Sequence, residues 1–316
     1  MKNKKDHQLI SKLIKTTNKV IFNCLPIYNC KDKKLVDNIA TLTYEKELDK
    51  FKDQFEVINC EGMLDKVEIV KLLKKSQYEN IFDLTIDPVE GTTNFSQGKN
   101  PSATVILCTE NRKTLKIPEM YMNKIFCQKK FEDFFWKASS IENFFLVLSN
   151  NFKNLKVVVL DKPRHKNIIK FLKNLKFDVT LISDGDLLYS VLVLYHEFDI
   201  IYGIGGSHEG VIMAGIAMSL NYFFAFAFCL SNNIYKEIDS ESEKKFLNTH
   251  KFTTDHWYPA NLLIEDKNPL VIFSFLDNFF YFKKPRVYPK FLEIDSIICY
   301  NLSLIKYISE LSYDNN

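Results

Sequence analysis

Between residues 156 and 204 the sequence alternates between short apolar stretches and amphipathic ones, and this rhythm restricts the fold more than any other feature. KVVVL, DVTLIS and FDIIYGI are expected to be strands, whereas RHKNIIKFLKNL and DGDLLYSVLVLYH are expected to be helices. The first helix carries one apolar stripe at helical spacing, formed by Ile168, Phe171, Leu172 and Leu175. Strands that alternate with helices in this way predict a layered α/β fold.

The part of the chain before residue 150 contains mostly strands and turns. A helix is expected over residues 8–23, and strands at FEVINC, at residues 82–86 and at residues 103–108. The change of rhythm near residue 150 predicts that the 316 residues form one unit that can be divided into two sub-domains, about 1–150 and 151–316. Beyond residue 231 the pattern is too irregular to assign elements.

Composition limits the classes of partner and the cellular compartment. The 42 basic and 39 acidic residues are mixed along the chain and give a net charge of only +3, so no global field favours nucleic acid. The seven cysteines are scattered without metal-ligand or disulfide spacing, which is typical of a reducing compartment. The basic start of the chain lacks the apolar core of a signal peptide. We therefore expect a protein of the cytoplasm, or of the stroma of an organelle that encodes it.

One long uncharged segment, residues 211–230, has about the length of a membrane span. Ser219 and Asn221 interrupt it, and its second half alternates like a strand. We therefore predict a buried helix followed by a buried strand, and no membrane partner.

The motif DPVEGT follows a predicted strand and places two carboxylates, Asp87 and Glu90, beside each other in a turn. A proline directly after Asp87 favours an extended backbone there, and Gly91 permits a tight turn. The two carboxylates and the Val89 carbonyl can then converge on one small volume. Such oxygen atoms are the ligands that Mg²⁺ and Mn²⁺ prefer. The alternative is an acidic turn on the protein surface.

Further acidic residues also stand at the ends of predicted elements: Asp37, Glu61, Asp65 and Glu209. Glu209 follows a glycine-rich stretch that is expected to form a turn at the start of a helix, where backbone N–H groups can bind a phosphate. This stretch is no dinucleotide-binding motif, because the third glycine of GxGxxG falls on His208.

The motifs DKPRH and SDGD each follow a predicted strand. Lys162 and Arg164 can bind phosphate oxygens, although a solvated basic turn is the alternative, and His165 is expected to be structural. Asp184 and Asp186 can bind sugar hydroxyls or can cap the helix that follows. Residues that follow strands of one sheet lie at the edge where α/β proteins generally bind ligands.

The motifs DPVEGT, IPEMYMNK, DKPRH, SDGD and YGIGGSHEGV occur together in an order that resembles the class II fructose-1,6-bisphosphatases, from about residue 20 to about residue 230. DPVEGT alone resembles the wider superfamily of metal-dependent, lithium-sensitive phosphatases that includes inositol monophosphatase. The resemblance implies a layered α-β-α-β-α sandwich of the sugar phosphatase type. It also implies hydrolysis of the 1-phosphate of fructose-1,6-bisphosphate, and of sedoheptulose-1,7-bisphosphate as in cyanobacterial relatives.

The resemblance also implies the roles of individual residues, with the active site between the two sub-domains. The implied ligands of Mg²⁺ or Mn²⁺ are Asp37, Glu61, Asp87, the Val89 carbonyl, Glu90, Thr92 and Glu209. The implied contacts to the sugar bisphosphate are Lys33, Tyr121, Lys162, Arg164, Asp184 and Asp186. Thr92 and Asp65 match the pair that aligns and deprotonates the attacking water. A homodimer or homotetramer is implied as the assembly.

Two other functions remain open at this point. One is an inositol-monophosphatase-like monoester phosphatase. The other is a catalytically degenerate binding or scaffold protein, since Met63 replaces an acidic residue of the class II pattern and, beyond residue 231, only VIFSF resembles that pattern.

Overall fold

The structure, a computed structural model, describes residues 4–62, 82–254 and 256–313. The chain divides into two compact units, called unit 1 and unit 2 below. Unit 1 comprises Met1–Lys116 and Glu265–Asn316, and unit 2 comprises Ile117–Ile264. The change of rhythm near residue 150 therefore lies inside unit 2, and the division into sub-domains at that position remains a prediction.

The helices and strands of the described residues are numbered in chain order. The helices are α1 (Lys4–Cys24), α2 (Lys33–Asp49), α3 (Thr92–Ser96), α4 (Glu132–Lys137), α5 (Ile141–Asn151), α6 (Lys166–Asn174), α7 (Asp186–Leu194), α8 (Ser207–Leu220), α9 (Ser231–Ile234) and α10 (Glu241–His250). The strands are β1 (Phe55–Cys60), β2 (Phe82–Glu90), β3 (Ala103–Thr109), β4 (Tyr121–Cys127), β5 (Lys156–Leu160), β6 (Asp178–Ile182), β7 (Ile200–Gly206), β8 (Phe223–Cys229), β9 (Tyr258–Pro259), β10 (Leu270–Phe275), β11 (Arg286–Val287), β12 (Phe291–Tyr300) and β13 (Ser303–Ser312). Short 3-10 turns include Pro163–His165, directly before α6.

Unit 1 contains a seven-stranded sheet in the order β1-β2-β3-β10-β12, in which β11 and β13 also pair with β12. β1 and β2 are parallel, so their C-terminal ends meet at the same edge. β10, β12 and β13 come from the far end of the chain and complete the sheet that β1, β2 and β3 begin. Helices α1 and α2 pack against each other and against this sheet.

The core of unit 1 lies between these two helices and one face of the sheet. It joins apolar residues of α1 and α2, such as Leu13 and Val36, to strand residues such as Leu84, Ile106 and Ile272, all of them fully buried. The burial of its apolar face stabilises the long helix α1. Helix α2 packs on α1 and on β2, which fixes its position along that strand.

Unit 2 contains a six-stranded sheet in the order β6-β5-β7-β4-β8-β9. β5, β6 and β7 are parallel, and β4 runs antiparallel between β7 and β8. An aromatic-rich core that includes Phe131, Phe144 and Phe145 covers one face of this sheet, and the stripe of α6 packs against it through Leu172. Helix α8 packs on β4, β7 and β8, with α7 beside it.

The predicted elements between residues 156 and 204 are all present, as β5, α6, β6, α7 and β7. Residues 211–230 form most of α8 and the whole of β8, so the prediction of a buried helix followed by a buried strand is confirmed. Among the described residues, no helix is both long enough and apolar enough to cross a bilayer. The α/β fold class is confirmed, since each unit combines one sheet with helices.

One local expectation is wrong. The glycine-rich stretch before Glu209 was expected to be a turn, but β7 runs through Gly206 and α8 begins at the next residue. Its glycines are strand residues that leave room for neighbouring side chains, as described below.

Candidate active site

The first four residues of the motif DPVEGT, Asp87 to Glu90, form the irregular C-terminal end of β2. The pairing of β2 with β3 shifts register between Asp87 and Glu90, which marks a bulge. Asp87 and Glu90 flank this bulge, and both residues are buried, with 3% of their surface exposed. Pro88 is tolerated here because a bulge interrupts the ladder of backbone hydrogen bonds.

Gly91 turns the chain from β2 into α3. Its φ of +75° lies in the left-handed region, and a Cβ atom at this position would lie 2.5 Å from the carbonyl oxygen of Pro101. The turn therefore requires glycine for two separate reasons, its dihedral angle and the lack of space.

The turn places Thr92 at the first position of α3, beside α2. Thr92 Oγ1 lies 2.6 Å from the Val89 carbonyl oxygen and 3.0 Å from Asp37 Oδ1. Three oxygen atoms that are predicted to bind a metal therefore lie close together: Thr92 Oγ1 itself, the Val89 carbonyl oxygen and Asp37 Oδ1. A hydroxyl has only one proton to donate, so the two acceptors compete for it.

Glu61 directly follows β1, and its N–H donates to the carbonyl oxygen of Ile86, the residue before Asp87. Glu61 therefore follows β1 at the same sheet edge at which Asp87 lies in the C-terminal part of β2. Lys33 is the first residue of α2 and lies one turn before Asp37, with its side chain exposed. Asp65, predicted to work with Thr92, lies outside the described residues, as does Met63.

The pKa values of two buried groups near these residues are raised, mainly by burial and in smaller part by the carboxylates. Burial raises the pKa of Tyr44 far above its usual range; the hydrogen bond with Thr104 opposes the rise, and the Asp87 carboxylate adds to it. Burial and the carboxylate of Asp37 raise the pKa of Cys24 to about 12. The atoms in this part of unit 1 that could bind a metal are carboxylate, carbonyl and hydroxyl oxygens. This set of ligands fits a hard divalent cation such as Mg²⁺ or Mn²⁺.

In unit 2 the remaining predicted residues lie along one edge of the sheet. Lys162 follows β5, Asp184 follows β6 and Glu209 follows β7. Because these strands are parallel, the three residues share the edge at their C-terminal ends, which confirms the predicted placement. β4 runs the opposite way, so its first residue, Tyr121, lies at the same edge, opposite Gly206.

Glu209 and Asp186 meet at a buried lysine that was not predicted. Lys124 Nζ lies 2.6 Å from Glu209 Oε2 and 3.1 Å from Asp186 Oδ2. Burial lowers the pKa of Lys124, but the two carboxylates outweigh it and raise that pKa above its ordinary value. Glu209 Oε2 also accepts from the N–H of Gly206, 3.0 Å away, and so caps the start of α8.

The sequence carried a signal for Lys124 in YMNKIFC. Strand alternation puts Met122, Lys124 and Phe126 on one face of β4, and all three are buried. A lysine between two apolar residues of a buried face needs counter-charges, and acidic residues at the ends of neighbouring strands can supply them.

Of the two basic residues Lys162 and Arg164, Arg164 is held by β7 in this structure. Arg164 donates to the carbonyl oxygen of Ile204 through Nε, at 3.0 Å, and through Nη2, at 2.7 Å. Its guanidinium also lies over the ring of Tyr121, 5.3 Å from the centroid. Asp184 and Lys162 are half-buried, and Lys162 precedes the 3-10 turn.

His165 is buried and ties β5 to β7. Its Nδ1 lies 2.8 Å from the Leu160 carbonyl oxygen, and its Nε2 lies 2.8 Å from the N–H of Ile204. Because Nε2 accepts, the proton of the neutral ring is on Nδ1. This network fits the structural role expected for His165.

Comparison with known proteins agrees with the geometry. The family model described as "Bacterial fructose-1,6-bisphosphatase, glpX-encoded" matches residues 7–301. A class 2 fructose-1,6-bisphosphatase of Haemophilus influenzae is 29% identical over 197 residues, which cover 60% of this chain and 59% of that protein. A protein of Microcystis aeruginosa named D-fructose 1,6-bisphosphatase class 2/sedoheptulose 1,7-bisphosphatase is 29% identical over 215 residues, 61% of this chain and 62% of the relative.

The chain thus spans about three fifths of the length of these curated relatives. The family model covers a much larger share and includes every site residue discussed above. The chain belongs to the family of glpX-encoded bacterial fructose-1,6-bisphosphatases.

Proposed function

We propose that this protein is a metal-dependent phosphatase that hydrolyses the 1-phosphate of fructose-1,6-bisphosphate. The observation that carries the proposal is the arrangement around Thr92, whose hydroxyl lies next to Asp37 and the Val89 carbonyl. Two buried carboxylates, Asp87 and Glu90, stand at the C-terminal end of β2, directly before the turn that leads to Thr92. Family membership supports the reaction class.

The residues of unit 1 would hold the metal ions and the attacking water. Asp37, Glu61, Asp87, Glu90 and the Val89 carbonyl offer the oxygen ligands. Thr92 would align a water molecule through its hydroxyl, with Asp65 as the acceptor of the proton. A bound divalent cation supplies Lewis acidity and lowers the pKa of water. The chain's own contribution is to fix these oxygen atoms on a strand end and two helices before substrate arrives.

The residues of unit 2 would bind the sugar bisphosphate. Asp184 and Asp186 can accept hydrogen bonds from sugar hydroxyls, and Glu209 can act as a further metal ligand. Lys162 and Arg164, together with Tyr121 and with Lys33 of unit 1, would bind phosphate. Arg164 would have to exchange its bonds to the Ile204 carbonyl for bonds to phosphate oxygens.

We further propose Mg²⁺ or Mn²⁺ as the metal, sedoheptulose-1,7-bisphosphate as a second substrate, and a homo-oligomer as the assembly. The second substrate is suggested by the name of the Microcystis relative. We also propose a reducing compartment such as the cytoplasm, because all seven cysteines lie in the described residues and none forms a disulfide.

The test is phosphate release from fructose-1,6-bisphosphate by the purified chain, with Mn²⁺ or Mg²⁺ and with chelator. The variant is Asp87→Asn, and its control is Asp83→Asn at the other end of the same strand. Asp83 is equally buried, with 2% of its surface exposed, and accepts from the N–H of Thr114. Asp87→Asn should lower turnover about a hundredfold or more, since even residues behind metal ligands contribute 10–100-fold.

Three outcomes would contradict the proposal. Turnover that survives both chelator and Asp87→Asn would place the chemistry elsewhere. A folded chain that releases phosphate from inositol monophosphate alone would be a monoester phosphatase, and one without turnover on any of these substrates would be a binding or scaffold protein.

A further inference from the structure

Among the largest fully buried side chains of the described residues, only that of Lys124 carries a positive charge. Three acceptors surround its ammonium group: Glu209 Oε2 at 2.6 Å, Asp186 Oδ2 at 3.1 Å and the Gly206 carbonyl oxygen at 3.3 Å. An ammonium group has three N–H donors, so this set satisfies all of them. The lysine is therefore held in one position.

The backbone around Lys124 leaves room for this arrangement. A Cβ atom at Gly205 would lie 2.7 Å from Lys124 Nζ, 3.0 Å from Glu209 Oε2 and 3.1 Å from Asp186 Oδ2. A Cβ atom at Gly210 would lie 2.3 Å from Met122 Sδ and 3.3 Å from Lys124 Cδ. Any side chain at Gly205 or Gly210 would displace Lys124 or its neighbours. Glycine at both positions therefore leaves the space that the buried ion network occupies.

A stabilising role alone does not account well for such a network. A buried ion pair generally contributes little net stability, because the loss of hydration offsets the attraction between the charges. The network does fix the orientation of two carboxylates that come from different elements, since Asp186 begins α7 and Glu209 lies in the first turn of α8.

We propose that Lys124 is a positioning residue that links the sugar-binding carboxylate Asp186 to the metal-binding carboxylate Glu209. This inference rests on the proposed function, which gives those two carboxylates their roles. One ammonium group holds an oxygen of each carboxylate, so it sets the direction in which each group can accept a further partner. Loss of the ammonium should therefore impair metal binding and sugar binding together.

The experiment compares three variants of the full chain: Lys124→Met, Asp186→Asn and Lys156→Met. Lys156 is the matched control, because it is an exposed lysine on a strand of the same sheet. The first readout is the dissociation constant for Mn²⁺ without substrate, from the electron paramagnetic resonance of free Mn²⁺. The second is KM and kcat for fructose-1,6-bisphosphate. Circular dichroism and thermal unfolding check that each variant is folded.

Lys124→Met should weaken Mn²⁺ binding about 10–100-fold and also raise KM, as expected when the partner of a metal ligand is lost. Asp186→Asn should raise KM, and Lys156→Met should change neither KM nor the Mn²⁺ dissociation constant. A folded Lys124→Met chain with wild-type Mn²⁺ affinity would overturn the inference.

If Lys124→Met does not fold, Lys124→Gln replaces it, since glutamine is uncharged but keeps an N–H donor. The same pair of changes is expected there, and an unchanged Mn²⁺ affinity again overturns the inference. The Mn²⁺ readout needs no turnover. A wild-type chain that binds Mn²⁺ but releases no phosphate would refute the proposed function, whereas the link between Lys124 and metal binding would still be decided by the variants.

Discussion

Thr92 Oγ1 lies 3.0 Å from Asp37 Oδ1, although the two residues are 55 positions apart in the chain. The contact joins the turn after β2 to the second helix of unit 1, and it depends on the placement of α3 by Gly91. The Thr92 hydroxyl and the Asp37 carboxylate therefore belong to the same part of the candidate site.

The first prediction concerns the hydroxyl of Thr92. Thr92→Val keeps the shape of the side chain but removes the hydroxyl, so turnover of fructose-1,6-bisphosphate should fall about 10²–10⁴-fold, the usual contribution of a group that moves a proton. Thr92→Ser restores a hydroxyl and should restore most of kcat. The control is Thr93→Val, one residue further along α3. Equal kcat values for the valine and serine variants at position 92 would show that the hydroxyl is not used.

Local patterns in the sequence were sufficient for most of the α/β rhythm. Apolar stretches such as KVVVL and the stripe of α6 are recognisable because their spacing reflects the geometry of one element at a time. The same reasoning put Lys162, Asp184 and Glu209 at the ends of strands, and parallel pairing then brings those ends to one edge.

Long-range pairing was beyond such reasoning. β10, β12 and β13 complete the sheet of unit 1 from the far end of the chain, and β10 pairs with β3 from Leu270 opposite Cys108 to Phe275 opposite Ala103. No local pattern states which distant strand a segment will join. For the same reason the contact of Lys124 with two acidic residues could not be predicted in detail. Asp186 lies 62 positions further along the chain (186 − 124), and Glu209 lies 85 positions further.

The second prediction concerns the turn at Gly91. Gly91→Ala forces alanine into a left-handed conformation and brings its Cβ to 2.5 Å from the Pro101 carbonyl oxygen. Gly62→Ala is the control: its φ is +77°, but among the described residues no atom lies within 4 Å of its Cβ position. Gly62→Ala should cost about 1–2 kcal/mol of unfolding free energy, the cost of the dihedral angle alone.

Gly91→Ala should cost clearly more than Gly62→Ala and should also lower kcat, because Thr92 follows the strained turn. Urea denaturation measures the free energy of unfolding for both variants. Equal losses in the two variants would mean that the backbone near Pro101 shifts without cost, and the close approach would then have no structural importance.

The third prediction concerns acid and His165. Burial lowers the pKa of His165, and the hydrogen bond with the Leu160 carbonyl only partly opposes this effect. The folded state therefore binds a proton less readily than the unfolded state, whose histidine has a pKa of about 6.5. The contribution of neutral His165 to the free energy of unfolding should be fully present above about pH 6.5 and should be lost as the pH falls below that value.

His165→Asn should be less stable than the wild type at pH 7.5, because two hydrogen bonds are disturbed, but it should lose less stability between pH 7.5 and pH 5.5. Urea denaturation at the two pH values measures this, with His196→Asn as the control for loss of an exposed histidine. An unchanged pH dependence in His165→Asn would assign the acid sensitivity to other groups.

The fourth prediction has the opposite sign and concerns Asp277, a buried residue of unit 1 that hydrogen-bonds to the hydroxyl of Ser102. Burial raises the pKa of Asp277 to about 6, although Ser102 and Lys284 oppose the rise. The folded state thus binds a proton more readily than the unfolded state, whose carboxyl has the ordinary value of 3.8. Ionised Asp277 therefore destabilises the fold above about pH 6, and this penalty should disappear as the pH falls toward 3.8.

Asp277→Asn removes the buried charge and keeps an oxygen that can accept from Ser102. The variant should be more stable than the wild type at pH 7.5, by up to about 3 kcal/mol, since one pKa unit corresponds to about 1.4 kcal/mol. The gain should shrink as the pH is lowered from 6 toward 4, where the wild-type carboxyl is itself neutral in the fold. Thermal unfolding at a series of pH values measures the difference between the two proteins. A destabilised asparagine variant at pH 7.5 would show that the bond between the Asp277 carboxylate and Ser102 outweighs the cost of burying the charge.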